Sequence, residues 1–421
     1  MNAFERVIGY ENIKKELMQI CDMIHNREVY ARLGARIPRG ILMYGRPGVG
    51  KTLLAECFLS ESGLRAYTVR RDRGGEGFVA EITAAFRKAK ENAPAVIFLD
   101  DIDKFSNEDD FHRDTEEYIA VQSGIDEVRD SEVFVIATAN DIHKLPGSLR
   151  RSGRFDRKLE MNTPTEADAR KIIEHYLKDK RTSPDVNMDD FCGMIKYSSC
   201  AGLETILNEA AISAAYARRD SIGMGDLTTA VLRVEYEAAE DNAEAPDEQR
   251  RAIALHEAGH LVVSEVLCPG SVGLASLRSG GGFVRRCRDL PRRSDNVLVA
   301  LGGKAADELY CADAHEEGCR SDIERAYEHI RDAISKNGVC GIGMLDVETF
   351  HSSSMSESLN ARTEAVVQAE LERYLLRAKD ILLKNRAFLE AAADALLNRE
   401  TLLQSDIRAL REEKAASIPA V

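Results

Sequence analysis

The sequence predicts an α/β P-loop domain with a small helical lid, followed by a mainly α-helical domain organised round one helix. Three observations predict this. Gly45-Arg46-Pro47-Gly48-Val49-Gly50-Lys51-Thr52 stands between a short apolar run and a helical segment, the order that a phosphate-binding loop requires. Strand and helix signals alternate from about residue 4 to 164, then give way to helical patterns alone over 166–236. Beyond these, Arg251 to Val263 carries His256-Glu257-Ala258-Gly259-His260 inside one continuous helical pattern.

These shifts set expected boundaries at 1–164 for the nucleotide-binding domain, 165–236 for the lid, 237–248 for an Ala/Glu/Asp-rich linker and 249–421 for the last domain. The chain is 44% hydrophobic and 30% charged, an ordinary balance for a folded soluble protein. A net charge of -14 without an extended basic run argues against a nucleic-acid backbone as partner. Nine cysteines without a CxxC pair suit reduced, mostly buried thiols and a cytoplasmic setting. The opening Met1-Asn2-Ala3-Phe4 does not read as a signal peptide, and no apolar run approaches the roughly 18 residues of a membrane span.

From the amino end, the run 40–44 reads as a strand that enters the loop 45–52. The glycines let backbone N–H groups close on phosphates, Lys51 reaches the β- and γ-phosphates, and Thr52 holds Mg²⁺. The run 95–99 is a second buried strand and ends in Asp100-Asp101. Two acids after a strand are by themselves a solvated loop; beside a phosphate loop they read as a Mg²⁺ acid, Asp100, and a base for the attacking water, Asp101. A third strand over 132–138 delivers Asn140 to the same edge, where its amide could orient that water. Arg150, Arg151, Arg154 and Arg157 crowd eight residues. They are either a solvated basic loop or arginine fingers aimed at a neighbouring subunit's nucleotide. Helical spacing over 203–211 belongs to the lid.

In the last domain His256 and His260, four apart, leave one helix face a turn from each other and can take two corners of a tetrahedral zinc. Glu257 is turned about 100° away round the helix, which suits a general base for metal-bound water. The alternative is two histidines on an ordinary amphipathic helix. Gly45 to Thr52, Asp100-Asp101, Asn140, Gly153-Arg154-Phe155-Asp156, Asn208 to Ala211 and His256 to His260 together resemble, in order and spacing, the FtsH-type AAA+ zinc metalloproteases over almost the whole chain.

The resemblance implies an AAA+ domain and lid followed by a zinc metalloprotease domain. It also implies a homo-hexamer that uses ATP and Mg²⁺ to pull unfolded or damaged proteins into a zinc peptidase chamber, with Arg151 and Arg154 as its fingers. Members are usually anchored in a membrane. This chain opens on Phe4 to Gly9, which resembles the start of the ATPase module, so both a missing anchor and none are open, and the expected place is the cytoplasm or the cytoplasmic membrane face.

A third metal ligand is expected further on. Ser321 and Glu324 have capping-box spacing, which would start a helix and set Asp322 in its first turn. The resemblance implies Asp322 as ligand, with Cys319 and His315 as competitors. The run 273–285 reads either as an extended segment that pairs with a substrate strand or as a plain surface hairpin. Leu301 to Glu308 is a small-residue helix able to pack closely, and Val367, Leu371, Tyr374, Ala378 and Ile381 mark a core-facing helix side.

Four features depart from the family pattern. Asp101 stands for Glu, Arg46 for Pro, and Ser199-Cys200-Ala201-Gly202 for Ser-Gly-Ala-Asp. The pore segment is short, with Phe78-Val79 as its aromatic-aliphatic pair beside Gly74-Gly75-Glu76-Gly77. Two rivals to an ATP-driven protease therefore stand: a peptidase with a weak or merely gating ATPase, and a remodelling ring without protease activity.

Overall fold

The structure, a computed structural model, describes residues 2–71, 77–106, 115–151, 153–196, 198–237, 247–278, 281–311, 319–337 and 357–414. The chain divides into two compact units, residues 1–179 with 197–207, and residues 180–196 with 208–421.

The first unit is a five-stranded sheet with helices on both faces. Helices α1 (Glu11–His25) and α2 (Arg27–Arg32) precede β1 (Gly40–Tyr44). Then come α3 (Lys51–Ser62), β2 (Arg65–Arg70), α4 (Phe78–Glu91), β3 (Ala95–Asp100), α5 (Thr115–Glu127), β4 (Val133–Ala139), β5 (Arg157–Glu160) and α6 (Glu166–Leu177). The strand order is β2-β3-β4-β1-β5 and every pairing is parallel. Strands β1, β3 and β4 are mainly apolar because both faces are covered, with Thr138 and the terminal Asp100 as the polar exceptions at their carboxyl ends. Alternate residues serve opposite layers: Leu42, Ile97 and Val135 pack with Ile82 and Phe86 of α4, while Ile41, Val96 and Ile136 pack with Leu17 of α1 and Phe58 of α3. The order puts β3, β4 and β1 side by side, so the loops at their carboxyl ends converge, the usual place for a ligand in an open α/β sheet.

In the second unit α7 (Met188–Met194), the later part of α8 (Cys200–Tyr216) and α9 (Met224–Tyr236) precede α10 (Asp247–Leu267). Asn187 caps α7 by accepting from Asp189 N and Asp190 N. After α10 come β6 (Val272–Ser276), β7 (Phe283–Arg286), α11 (Asp295–Ala300), α12 (Gly302–Tyr310), α13 (Arg320–Asn337), α14 (Glu357–Lys384), α15 (Arg386–Arg399), β8 (Thr401–Leu403) and α16 (Gln404–Lys414). Strands β7-β6-β8 form a small antiparallel sheet. The expected core face of α14 is real: Val367 and Ala378 are buried, with Leu371, Tyr374 and Ile381 packed beside them.

Helix α10 lies at the centre of this unit, packed by α12 and α15. It meets α12 backbone to backbone, since a Cβ on Gly259 would stand 2.4 Å from the Gly302 carbonyl oxygen. Glycine at both positions permits that crossing. Among the described residues no helix is long and apolar enough to cross a membrane.

Candidate metal centre and nucleotide site

One turn of α10 separates His256 from His260, and their Nε2 atoms stand 3.2 Å apart. The first turn of α13 brings Asp322 over them, its Oδ2 at 3.1 Å from His256 Nε2 and 3.0 Å from His260 Nε2. Ligand atoms about 2.0–2.1 Å from a tetrahedral zinc lie roughly 3.3 Å from one another, close to this triangle.

The remaining ring nitrogens decide what the triangle needs. His260 Nδ1 lies 2.7 Å from the Val299 carbonyl oxygen, so it carries the hydrogen and donates. His256 Nδ1 likewise donates to Asp307 Oδ2 at 2.8 Å. With both protons on Nδ1, two Nε2 lone pairs and a carboxylate oxygen point at one spot, an arrangement that calls for a cation. The backbone leaves room for it, because a Cβ on Gly303 would stand 2.4 Å from His256 Nε2 and 2.5 Å from His260 Nε2. The donor set therefore fits zinc. Without metal a proton substitutes: burial pushes His256 down, but hydrogen bonds to Asp307 and Asp322 outweigh it and raise the ring to about 10. Burial opposes ionisation of Asp322, yet the two imidazoles hold its carboxyl well below the usual range.

Glu257 is buried beside the triangle, and burial pushes its carboxyl up to about 7 against the pull of His260 and His256. It faces a cleft of about 580 Å³ that His256, Asp322, Phe283, Arg286 and Arg325 also line. Of the segment 273–285, β6 is the central strand and fully buried, while β7 is an edge strand, partly exposed on the cleft wall. Of these two strands it is β7, at the sheet edge, that can accept another strand.

In the first unit the loop after β1 leads into α3 through Gly50. Lys51 Nζ donates to Gly45 O at 2.8 Å, Arg46 O at 2.9 Å and Asn140 Oδ1 at 2.9 Å. Thr52 Oγ1 donates to Asp100 Oδ1 at 3.1 Å, and Thr138 Oγ1 donates to the same oxygen at 2.7 Å. Asn140 Nδ2 donates to Asp101 Oδ1 at 3.4 Å. Arg46, Pro47 and Gly48 are exposed and Val49 is buried. Ala201 N donates to Gly48 O at 3.1 Å, so the start of α8 sits on the phosphate loop. Burial pushes Lys51 down, opposed by the acids 101, 103 and 100.

Residues 41–163 match the family model of the ATPase family associated with various cellular activities (AAA), and residues 291–410 match that of Peptidase family M41. The second range contains Asp307 and Asp322, while the histidine pair lies ahead of it. The ATP-dependent zinc metalloprotease FtsH 2 of Symbiobacterium thermophilum is 30% identical over 438 residues, covering 96% of this chain and 74% of that protein. The chain belongs to the FtsH family. FtsH 2 of Sphaerobacter thermophilus is 31% identical over 97% of this chain and 66% of its own length. FtsH of Leptotrichia buccalis is 32% identical over 99% and 58%. The chain thus spans roughly three fifths to two thirds of the length of several of its FtsH relatives.

Several FtsH features fall differently from the expectation. Phe78 is only 7% exposed, packed edge-on against Phe105 at 5.2 Å between ring centroids, so it is a core residue and cannot grip a passing chain. Val79 is half-buried on α4, Gly77 opens that helix, and 74–76 lie outside the described residues. The capping box is absent: Ile323 N donates to Cys319 O at 3.0 Å, so α13 starts earlier, and Glu324 pairs with Arg320 at 3.0 Å. Asp322 keeps its first-turn place.

Of the competing ligands, His315 lies outside the described residues. Cys319 donates its thiol to Asp307 Oδ2 at 3.1 Å, and burial with Asp307 pushes that thiol up to about 12. His256, Asp307 and Cys319 are close enough to share an ion, but the imidazole and thiol protons already go to Asp307. Arg154 forms a two-pronged pair with Asp126, Nη2 to Oδ2 at 2.8 Å and Nε to Oδ1 at 3.2 Å, whereas Arg151 is exposed. Sequence reasoning missed Asp307, the Val299 carbonyl and the space left by Gly303. The one available signal was an acid on the packing side of the small-residue helix.

Proposed function

We propose that this chain is an ATP-dependent zinc endopeptidase, with His256, His260 and Asp322 as metal ligands and Glu257 as general base. The carrying observation is the meeting of three lone-pair donors beside a buried glutamate at an open cleft. Zinc held there supplies Lewis acidity at a water and at the scissile carbonyl. Glu257 takes the water's proton and returns it to the leaving amine. Asp307 and the Val299 carbonyl fix the two imidazole planes. An extended substrate pairs along β7, where main-chain bonds read peptides without demanding a sequence.

In the ATPase half, residues 45–52 bind the nucleotide, Thr52 and Asp100 hold Mg²⁺, Asp101 and Asn140 handle the water, and Arg151 and Arg154 serve a neighbour's site. For Arg154 this requires leaving Asp126. The reading extends to a homo-hexamer that acts on unfolded or damaged proteins in the cytoplasm or on its membrane face, with domains divided near 164, 236 and 248. The pairing of Asp101 with Lys104 at 2.7 Å favours a second reading, a peptidase with a slow ATPase. Zinc content, ATP turnover and casein degradation with and without ATP, measured on one preparation, test both. Casein cleavage that needs neither Glu257 nor metal would end the peptidase assignment.

A further inference from the structure

We propose that Lys104 is a positioning residue that clamps Asp101 and that opening of this pair limits ATP turnover. The inference rests on the reading of Asp101 as the ATPase base. Both oxygens of that carboxylate are engaged: Oδ2 receives Lys104 Nζ at 2.7 Å and Oδ1 receives Asn140 Nδ2 at 3.4 Å. Asn140 is held in turn by Lys51 at 2.9 Å. A line of contacts therefore runs from the phosphate-loop lysine through the amide and the acid to Lys104.

The backbone enforces the clamp. Asp101 takes a left-handed conformation, φ 52°, and opens the short 3₁₀ turn Ile102–Lys104. Lys104 N donates to Asp101 O at 2.9 Å, which folds the lysine back over the acid three residues earlier. Ile102 and Asp103 are buried, and Asp103 Oδ1 accepts from Asn140 N at 3.1 Å. Arg71 Nη1 donates to Lys104 O at 2.8 Å. The lysine's main chain is thus fixed relative to Asp101, and only its side chain can move away.

A base for the attacking water must accept that water's proton. An ammonium in contact with the same carboxylate draws charge from it and so weakens it as the acceptor of that proton. The neighbouring acid is treated similarly, since Arg70 stands 3.7 Å from Asp100 Oδ2. The clamp is modest. Lys104 is 55% and Asp101 21% exposed in their side chains, and an exposed pair shifts an equilibrium by at most about fivefold.

The test measures kcat and KM for Mg-ATP on the whole chain, with binding of a fluorescent non-hydrolysable ATP analogue read separately. Lys104→Met keeps the length and removes the charge; it is expected to raise kcat by about two- to fivefold, with KM and analogue binding nearly unchanged. Lys104→Arg is expected to stay near the parent, because it restores the cation. A Lys104→Met kcat equal to or below the parent's overturns the clamp, including the case in which neither protein turns over ATP. Asp101→Asn separates the two levels: if it hydrolyses ATP like the parent, the assignment of the base fails, whereas if it is inactive and Lys104→Met is no faster, only the clamp fails.

Discussion

The two sites of this protein are prepared differently. At the metal centre the ring nitrogens turned away from the ligand triangle are already satisfied: His256 and His260 each donate from Nδ1 to a fixed acceptor, leaving three donor atoms to converge. At the nucleotide site the functional groups satisfy one another, Lys51 with Asn140, Asn140 with Asp101 and Asp101 with Lys104. A rigid, buried centre gains its function by taking up an ion. A self-paired site must exchange partners when its ligand arrives, so its rate depends on how tightly the groups hold one another. Rigidity at the first comes from α12 packed at close range on α10 and from α13 held against α11 and α14; adaptability at the second comes from loops at strand ends.

The sharpest way to test this contrast is to remove the base without touching the ligands. Glu257→Gln is expected to lower peptide cleavage by on the order of 10²–10⁴ while metal analysis still finds one zinc per chain. Full proteolysis by that variant would sink the assignment. Gly303→Ala comes next, since its methyl would stand 2.4 Å from one Nε2 and 2.5 Å from the other. Zinc should be lost while the helical circular-dichroism spectrum stays intact; normal occupancy would mean that the ion sits elsewhere. Asp322→Ala should also reduce occupancy, and unchanged binding would give its role to another residue such as Cys319.

Replacing Asp307 by Asn should weaken zinc by about 10–100-fold, read by competition with a chelator of known affinity. At the nucleotide site, Asp101→Glu returns the reach of one methylene, and a misplacement of about 1 Å is worth on the order of a hundredfold. An Asp101→Glu variant no faster in ATP turnover would show that the backbone has adapted to the shorter acid.

A further contrast concerns pH. In the metal-free protein Glu257 is raised to about 7 from 4.5 and His256 to about 10 from 6.5. Both contribute stability that is full below their unfolded values and is lost as pH rises through the folded ones. The melting temperature of metal-free protein should therefore fall between about pH 5 and pH 9. Zinc should flatten the upper part of that fall by replacing the proton on His256. Glu257→Gln should remove the lower part, and a flat parent profile would contradict both shifts.

Much of this was legible in order along the chain. The phosphate loop and the paired histidines are local patterns, complete within one strand-loop-helix and one helical turn, and each fixes its own chemistry wherever the fold puts it. The buried side of α14 was legible for the same reason, because helical spacing shows in the sequence. Phe78 was not, since an aromatic after glycines looks the same whether it faces a pore or meets Phe105 in the core. The start of α13 also escaped, because Arg320 meets Glu324 along the helix surface and so removes the carboxylate that a capping box would need.

The sequence alone therefore determined the types of element, the family, the nucleotide loop and the pairing of the two histidines on one helix face, because their information lies in local patterns. Tertiary structure decided which acid serves which histidine and what holds the catalytic groups still. Asp307 lies 51 residues from His256, Val299 lies 39 from His260 and Asp322 lies 62 from His260. Across such separations nothing in local propensity distinguishes a ligand from a neighbouring acid. Only the close packing of α12 on α10, with glycines at the crossing, and the approach of the first turn of α13 bring one carboxylate to the Nδ1 side of the imidazole and another to the Nε2 side.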